Sequence, residues 1–84
     1  MKDANEIELW MRGYIAKSLK TSVDSVDPLV SFDRLGLDSS SAVAMVGDLE
    51  AWLAVEVDPV APYEYPTIRS LSVHISASSG QGAT

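Results

Sequence analysis

Three consecutive serines, Ser39, Ser40 and Ser41, directly follow Asp38 and precede an apolar-periodic segment. A helix start needs only one capping side chain, and Asp38 is a good one, so three further hydroxyls require another explanation. A serine can act as a nucleophile activated by its own protein, or as an acceptor that a second enzyme modifies. Residues 34–53 therefore allow three interpretations: a plain helix start, a catalytic nucleophile and a modified serine.

Catalysis by a serine of this chain lacks the partner groups that such chemistry needs. An unaided hydroxyl is a poor nucleophile, and it needs a base within hydrogen-bond reach and a group that orients the base. The chain has one histidine, His74, and no serine within a G-x-S-x-G motif. We therefore predict no catalytic residue and a protein that is not an enzyme.

Metal and thiol chemistry have no sequence support either. The chain contains no cysteine, which excludes a disulfide framework, a thiolate metal site and a cysteine nucleophile. Neither D-x-D-x-D-G nor H-E-x-x-H occurs, so we predict no metal site. The lack of cysteine agrees with a reducing compartment. No apolar run reaches the roughly 20 residues of a membrane span, and the first residues do not resemble the start of a signal peptide. We expect a cytoplasmic protein.

The negative charge is concentrated in the middle of the chain. The formal net charge of all 84 residues is −6, whereas residues 21–66 carry nine acidic side chains against Arg34 alone, a net charge of −8. Such a field repels nucleic acid and anionic membranes and attracts basic protein surfaces. We predict protein partners, and neither a nucleic acid nor a membrane. A merely solubilising surface is an equally good explanation of the charge.

Two long helices are predicted to position the serines. Apolar residues at helical spacing predict a first helix over residues 4–19, which Asp3 or Asn5 can cap. The same spacing predicts a second helix that starts at the serines and fades by about Val55. The serines then lie in its first turn, where free N–H groups and the helix dipole favour a phosphate or a larger phosphate-linked group.

The rest of the chain is predicted to hold a long loop, a short helix and a last helix. Residues 20–38 show no sustained period and predict a loop folded back over the core. Pro62 can open a short helical turn, and Thr67 can cap the last helix. We predict one all-α domain over residues 1–77, with three main helices and one short one, and a flexible tail or linker at residues 78–84. The predicted core is Phe32, Leu35, Ala42, Met45, Val46, Leu49, Leu53, Ile68, Leu71 and Ile75.

One set of residues, spread over residues 6–77, follows the order and spacing of a known family. The set is Phe32, Leu35-Gly36-Leu37-Asp38-Ser39, Val43, Leu49-Glu50, Tyr65-Pro66-Thr67-Ile68, Leu71 and His74-Ile75. Together these residues resemble an acyl carrier protein domain of the polyketide or fatty-acid type. The resemblance implies a small four-helix bundle of acyl carrier type, and a covalent 4'-phosphopantetheine arm, derived from coenzyme A, on Ser39. Acyl intermediates would be held on the arm as thioesters, and the arm would supply the thiol that this chain lacks.

The resemblance also implies roles for residues around Ser39. Asp38 is implied to position the transferase or its metal, besides capping the helix. Six further residues are implied to contact partner enzymes: Asp33, Leu37, Ser40, Met45, Asp48 and Glu50. Ser40 stands where the family usually has leucine, and Ala44 stands where fatty-acid carriers often have glutamate. The acidic face of the second helix is therefore thinned in this chain.

The partners that the resemblance implies are enzymes of acyl transfer. They are a phosphopantetheinyl transferase, an acyltransferase or acyl-adenylating ligase, and a ketosynthase or other polyketide-type enzyme, while the domain in isolation is expected to be a monomer. The sequence GLDS is more similar to polyketide carriers than to peptidyl carriers, in which GGDS is common. Two alternatives stay open: a peptidyl carrier domain of a nonribosomal peptide synthetase, and a helical interaction module without an arm, in which Ser39 is only a helix cap or a phosphorylated serine.

Overall fold

The structure, a computed structural model, describes residues 3–82 and the side chains of residues 3–77. Its helices follow in the order α1 (Ala4–Leu19), α2 (Phe32–Leu35), α3 (Ser39–Leu53), α4 (Ala61–Glu64) and α5 (Ile68–Gly82), with a short 3-10 helix at Val23–Ser25. Within this range there is no strand, and one isolated bridge pairs Ser31 with Thr67. The predicted all-α class is confirmed. No helix in the described range is long and apolar enough to cross a membrane.

The long helices α1 and α3 each begin directly after an aspartate N-cap. The Asp3 carboxylate accepts a hydrogen bond from the Glu6 N–H at 2.9 Å, and the Asp38 carboxylate accepts one from the Ser41 N–H at 2.8 Å. Each bond satisfies a backbone donor that has no partner within the helix. The predicted bounds of α1 are therefore confirmed, and α3 ends at Leu53, close to the predicted end.

The region between α1 and α3 is more helical than the sequence predicted. We predicted a loop over residues 20–38, whereas the chain forms the 3-10 helix and then α2. The four residues of α2 are too few to produce a periodic pattern, because one helical turn already takes 3.6 residues. The Ser31 hydroxyl accepts a bond from the Arg34 N–H at 3.3 Å, and Gly36 ends α2 with φ of 101°, a backbone conformation that favours glycine.

This region covers the core as predicted, and a charged side chain fixes it to α1. The Arg12 guanidinium donates to the carbonyl of Val26 at 3.0 Å and to that of Val23 at 3.1 Å. Val26 and Phe32 are both buried. Arg12 therefore satisfies two carbonyls of a short irregular segment while that segment closes one side of the core.

The core lies between α1, α3 and α5, with the loop region over it. Its fully buried side chains are Ile7, Met11, Ile15, Met45, Leu49, Ile68 and Leu71, together with Val26 and Ser72. The Ser72 hydroxyl donates to the Ile68 carbonyl at 2.7 Å, so its burial leaves no unpaired donor. Leu35 and Leu53 are only half-buried, at the edge of the core, whereas the other predicted core residues are buried.

Two backbone hydrogen bonds join the loop region to the start of α5. The Phe32 N–H donates to the Pro66 carbonyl at 2.8 Å, and the Arg69 N–H donates to the Pro28 carbonyl at 3.0 Å. The described backbone of α5 continues to Gly82, past the domain end predicted at residue 77. A tail or linker at residues 78–84 stays a prediction, and residues 83–84 lie outside the described range.

Candidate functional site

The first turn of α3 holds the three serines in different surroundings. Asp38 has extended backbone angles and is the N-cap, so Ser39 is the first helical residue. Hydrogen bonds from the backbone N–H and then the hydroxyl of Ser41 lower the pKa of Asp38, because both stabilise its carboxylate. Asp38 is therefore ionised near neutral pH, and the carboxylate occupies the cap position that a serine hydroxyl would otherwise take.

Ser39 and Ser40 are both exposed, but only one of them faces a cavity. Ser39 contributes to the wall of a cavity of about 420 Å³, and Ser40 does not. Neither side chain makes a hydrogen bond to another residue of the described range. Of the three hydroxyls, that of Ser39 is thus unengaged and placed at a concave surface.

The cavity is built from parts of the chain that are distant in sequence. The segment from Ser31 into α2, the head of α3, α4 and the segment that leads into α5 each contribute. Its lining residues are Ser31, Phe32, Asp33, Leu37, Asp38, Ser39, Ala42, Pro62, Tyr63 and Pro66. Half of these side chains are apolar, and the other half carry a hydroxyl or a carboxylate group. A group attached to Ser39 therefore meets an apolar wall on one side and solvent on the other.

The surroundings of Ser39 fit a hydroxyl that accepts a group from another enzyme. No base is bonded to the Ser39 hydroxyl within the described residues, and His74 instead stacks on Tyr65 with ring centroids 4.1 Å apart. The position at the head of a fifteen-residue helix favours an attached phosphate, since the N–H groups and the dipole of α3 point to it. A hydroxyl, a helix N-terminus and an adjoining apolar cavity fit a phosphate-linked arm. Among the described residues no group of three or more acidic or histidine side chains is arranged to hold a metal.

The six residues predicted to contact partners differ in how exposed they are in the structure. Asp33, Ser40 and Asp48 are exposed, and Glu50 is half-buried. Leu37 is 6% exposed and Met45 is 0% exposed, so neither offers a side-chain surface in the free domain, and their partner contacts stay predictions. Met45 lies on the core-facing side of α3, where the apolar spacing had also placed it, and Leu37 packs into the core as the chain enters α3.

Asp48 and Glu50 are engaged in contacts that hold the bundle together. A hydrogen bond to Asp48 is the main reason that the pKa of Tyr14 is raised, and this bond links α3 to α1. The Glu50 carboxylate accepts a hydrogen bond from the Val57 N–H at 2.9 Å and so fixes the segment after α3. Tyr14 also belongs to a surface stack in which Trp10 lies between Tyr14 and Trp52, with ring centroids 5.3 and 5.4 Å apart.

Sequence reasoning missed the far wall of the cavity. Pro62, Tyr63, Pro66 and Ser31 line it, and none of them was predicted as a site residue. Tyr63 is 62% exposed at this wall. The prolines indicated a short helix, but a pattern of turn residues does not say which side chains face Ser39. That depends on how α4 packs against α3, which is a long-range contact.

The structure is a small helical bundle with an exposed serine at the head of α3, beside a cavity. Residues 10–75 match the family model described as "Phosphopantetheine attachment site". The chain belongs to this family of carrier domains, whose members carry a covalently attached 4'-phosphopantetheine. The predicted family, bundle fold, carrier function and prosthetic group are thereby confirmed, and the alternative of an interaction module without an arm loses support.

Individual relatives include a free-standing carrier, a synthase and a solved structure. The acyl carrier protein TtuC of Teredinibacter turnerae is 34% identical over 74 residues, which cover 88% of this chain and 85% of that protein. A phenolphthiocerol/phthiocerol polyketide synthase of Mycobacterium tuberculosis is 32% identical over 72 residues, 86% of this chain but only 4% of the synthase polypeptide. A free-standing peptidyl carrier protein from Acinetobacter baumannii superposes with a TM-score of 0.84 at 31% identity, over 93% of this chain and 98% of that one.

Proposed function

We propose that Ser39 carries the phosphopantetheine arm and that the domain, at residues 1–77, presents acyl thioesters to enzymes of polyketide or fatty-acid-like biosynthesis. The observation that carries the assignment is the contrast among the three serines. The Ser41 N–H bonds to Asp38 and Ser41 does not line the cavity, Ser40 lies away from the cavity, and Ser39 is both exposed and at the cavity wall. An enzyme that approaches the head of α3 thus meets one unengaged hydroxyl beside a concave surface.

Attachment of the arm requires little from the chain itself. The Ser39 Oγ forms a bond to the phosphorus nearer the pantetheine, the diphosphate P–O bond of coenzyme A breaks, adenosine 3',5'-bisphosphate leaves, and the serine proton passes to a base of the transferase. This explains why no base of the chain needs to touch Ser39, and why a carrier of this kind is not itself an enzyme. The arm supplies the terminal thiol that holds the acyl group, since the chain has no cysteine.

We assign Asp38 two roles in this scheme. As the N-cap it fixes the backbone of Ser39, and as an ionised carboxylate beside the reacting hydroxyl it positions the transferase or the metal ion of the transferase. The chain's own contribution to the loading reaction is therefore a fixed, exposed hydroxyl with a negative neighbour.

The partners follow from the same proposal. They are a phosphopantetheinyl transferase, an acyltransferase or acyl-adenylating ligase, and a ketosynthase or a related enzyme, all in the cytoplasm. The relatives named as an acyl carrier protein and a polyketide synthase support acyl cargo. A second candidate, a peptidyl carrier, is favoured by the close superposition on a peptidyl carrier protein. Loading of the arm by purified acyl-transferring and amino-acid-adenylating enzymes separates these two.

The attachment is tested by mass spectrometry of the intact chain. After incubation with coenzyme A and a broad-specificity phosphopantetheinyl transferase, we expect the mass to rise by one phosphopantetheinyl group. Ser39→Ala abolishes the addition while its circular dichroism stays that of the wild type, and the matched control Ser40→Ala is loaded normally. Addition at Ser40 or Ser41, or no addition to the folded wild-type chain, would overturn the proposal.

A further inference from the structure

We propose that the carboxylates of Asp33 on α2 and Glu64 on α4, and not those of Asp48 and Glu50 on α3, are the charged contacts that draw a basic phosphopantetheinyl transferase to Ser39. The assignment rests on the proposed function of Ser39. The assignment places the charges that attract the partner on α2 and α4, the two short helices that flank Ser39, and not on α3.

The carboxylates of α3 are poorly available to a partner. Asp48 holds the hydroxyl of Tyr14, and Glu50 is half-buried and holds the Val57 N–H. A carboxylate that already accepts a hydrogen bond within the protein has to give up that bond, or share it, before it pairs with a partner's cation. These two residues therefore act between α3 and its neighbours.

Apart from the exposed N-cap Asp38 and the exposed Asp48, the outward face of α3 carries no titratable side chain. Its exposed residues at helical spacing are Ser40, Ala44, Gly47 and Ala51, with the exposed Val43 beside them. None of these side chains is titratable, so this part of α3 offers a small, uncharged surface to an approaching protein. We therefore assign the attraction expected from a net charge of −8 over residues 21–66 mainly to residues outside α3.

Asp33 meets the requirements for such a contact. Its side chain is exposed and lines the same cavity as Ser39, and its carboxylate makes no hydrogen bond or ion pair within the described residues. The backbone that carries it is fixed on both sides, by the Ser31 cap and by the bond from the Phe32 N–H to the Pro66 carbonyl. A free charge on a rigid turn loses little backbone freedom when a partner binds.

Glu64 provides the second contact, on α4 next to the cavity wall. It is exposed, it ends α4 directly after the cavity residue Tyr63, and within the described range its carboxylate has no hydrogen-bond or ion-pair partner. Asp33 and Glu64 thus belong to the two short helices that border the cavity. Paired basic side chains on the transferase surface would engage both carboxylates and so orient Ser39.

Arg34 allows the direction of the predicted charge effect on the loading rate to be tested next to Asp33. It follows Asp33 on α2, it is exposed, and its guanidinium makes no hydrogen bond or ion pair with described residues. As the single basic residue among residues 21–66, it opposes a basic partner at the position where Asp33 attracts it. Neutralising the two neighbours must therefore change the loading rate in opposite directions.

The experiment measures kcat/KM for transfer from coenzyme A by a purified broad-specificity transferase, at low and at high ionic strength. We expect Asp33→Asn and Glu64→Gln each to lower kcat/KM about threefold through KM, and Arg34→Gln to raise it about twofold, with all three effects shrinking in about 0.5 M salt. The matched controls Asp48→Asn and Glu50→Gln keep an acceptor oxygen for Tyr14 and Val57, and we expect changes below about 1.5-fold.

Two results would overturn the assignment. One is a folded Asp48→Asn or Glu50→Gln chain whose kcat/KM falls as much as that of Asp33→Asn. The other is an Asp33→Asn chain that is loaded at the wild-type rate at both ionic strengths. Failure of the wild-type chain to be loaded at Ser39 would instead refute the proposed function itself, together with the assignment that rests on it.

Discussion

Replacing Met45 with alanine distinguishes a core residue from a partner contact. The structure places this side chain at 0% exposure on α3, within the same buried cluster as Ile7, Leu49 and Leu71. Truncating a fully buried methionine removes favourable burial and leaves a cavity, which together cost about 2–5 kcal/mol. A domain of this size has a free energy of unfolding of roughly 5–10 kcal/mol, so the substitution removes a large part of it.

The effect is large enough for simple assays. We expect urea unfolding, followed by far-ultraviolet circular dichroism, to give a free energy of unfolding about 3 kcal/mol lower for Met45→Ala. At about 4–8 °C per kcal/mol for a domain of this size, Tm falls by roughly 12–24 °C. Met45→Leu nearly conserves the volume and should cost less than about 1.5 kcal/mol. The control Val43→Ala, at a position 45% exposed on the same helix, should change stability by about 0.5 kcal/mol or less.

The loading assay completes the test. Measured at a temperature where each variant is folded, transfer of the arm to Met45→Ala should proceed at the wild-type kcat/KM, because a buried side chain offers no surface to the transferase. A variant of unchanged stability with a reduced kcat/KM would refute the reasoning, and it would support Met45 as a partner contact.

Further predictions concern the polar contacts around α3. Because the pKa of Asp38 is lowered in the folded chain, its contribution to stability is present above the ordinary carboxyl pKa and is lost as the pH falls through the lowered value; urea unfolding of Asp38→Asn across an acid pH series should lack this dependence. The raised pKa of Tyr14 acts in the alkaline range: its contribution is complete below its ordinary pKa and is lost as the pH rises through the raised value, so Tyr14→Phe should remove that loss and, near neutral pH, lower stability by about 0.5 kcal/mol. Glu50→Ala leaves the Val57 N–H without its acceptor and should lower the free energy of unfolding by about 1–2 kcal/mol, whereas Glu50→Gln should retain most of it; equal losses in the two variants would argue against the hydrogen bond.

The long helices were predictable because their signals are local. The apolar stripe of α1 and its cap Asp3 lie within a few residues of each other, and so do the stripe of α3 and its cap Asp38. The burial of Met45 was predictable from the same kind of signal. The spacing of apolar residues placed it in the core, and this prediction is confirmed because it follows from the geometry of the helix; the partner contact that the resemblance implied stays a prediction.

The short helix α2 was not predictable, because its stability comes from outside its own sequence. Four residues cannot form a stable helix alone. α2 is held by the burial of Phe32 and by the hydrogen bond from the Phe32 N–H to the Pro66 carbonyl, 34 residues further along the chain. The same contact brings Pro66 to the cavity wall. Local reasoning could therefore predict the helix start and its cap Asp38, but not the surface that faces Ser39.

If Ser39 carries the arm, as we propose, its placement separates the loading reaction from the stability of this small domain. The N-cap function is performed by Asp38, and the core-facing positions of α3 begin at Ala42, so the Ser39 side chain takes part in neither. An arm attached there extends into solvent or along the cavity without displacing a core residue. Since an 84-residue chain has little stability to spare, a modified residue that also served as a cap or packed in the core would put folding at risk with each modification. On the proposed function, the three serines after Asp38 avoid this problem: the Ser41 N–H completes the cap, Ser40 faces solvent, and Ser39 takes part in neither the cap nor the core and is the residue that we propose is modified.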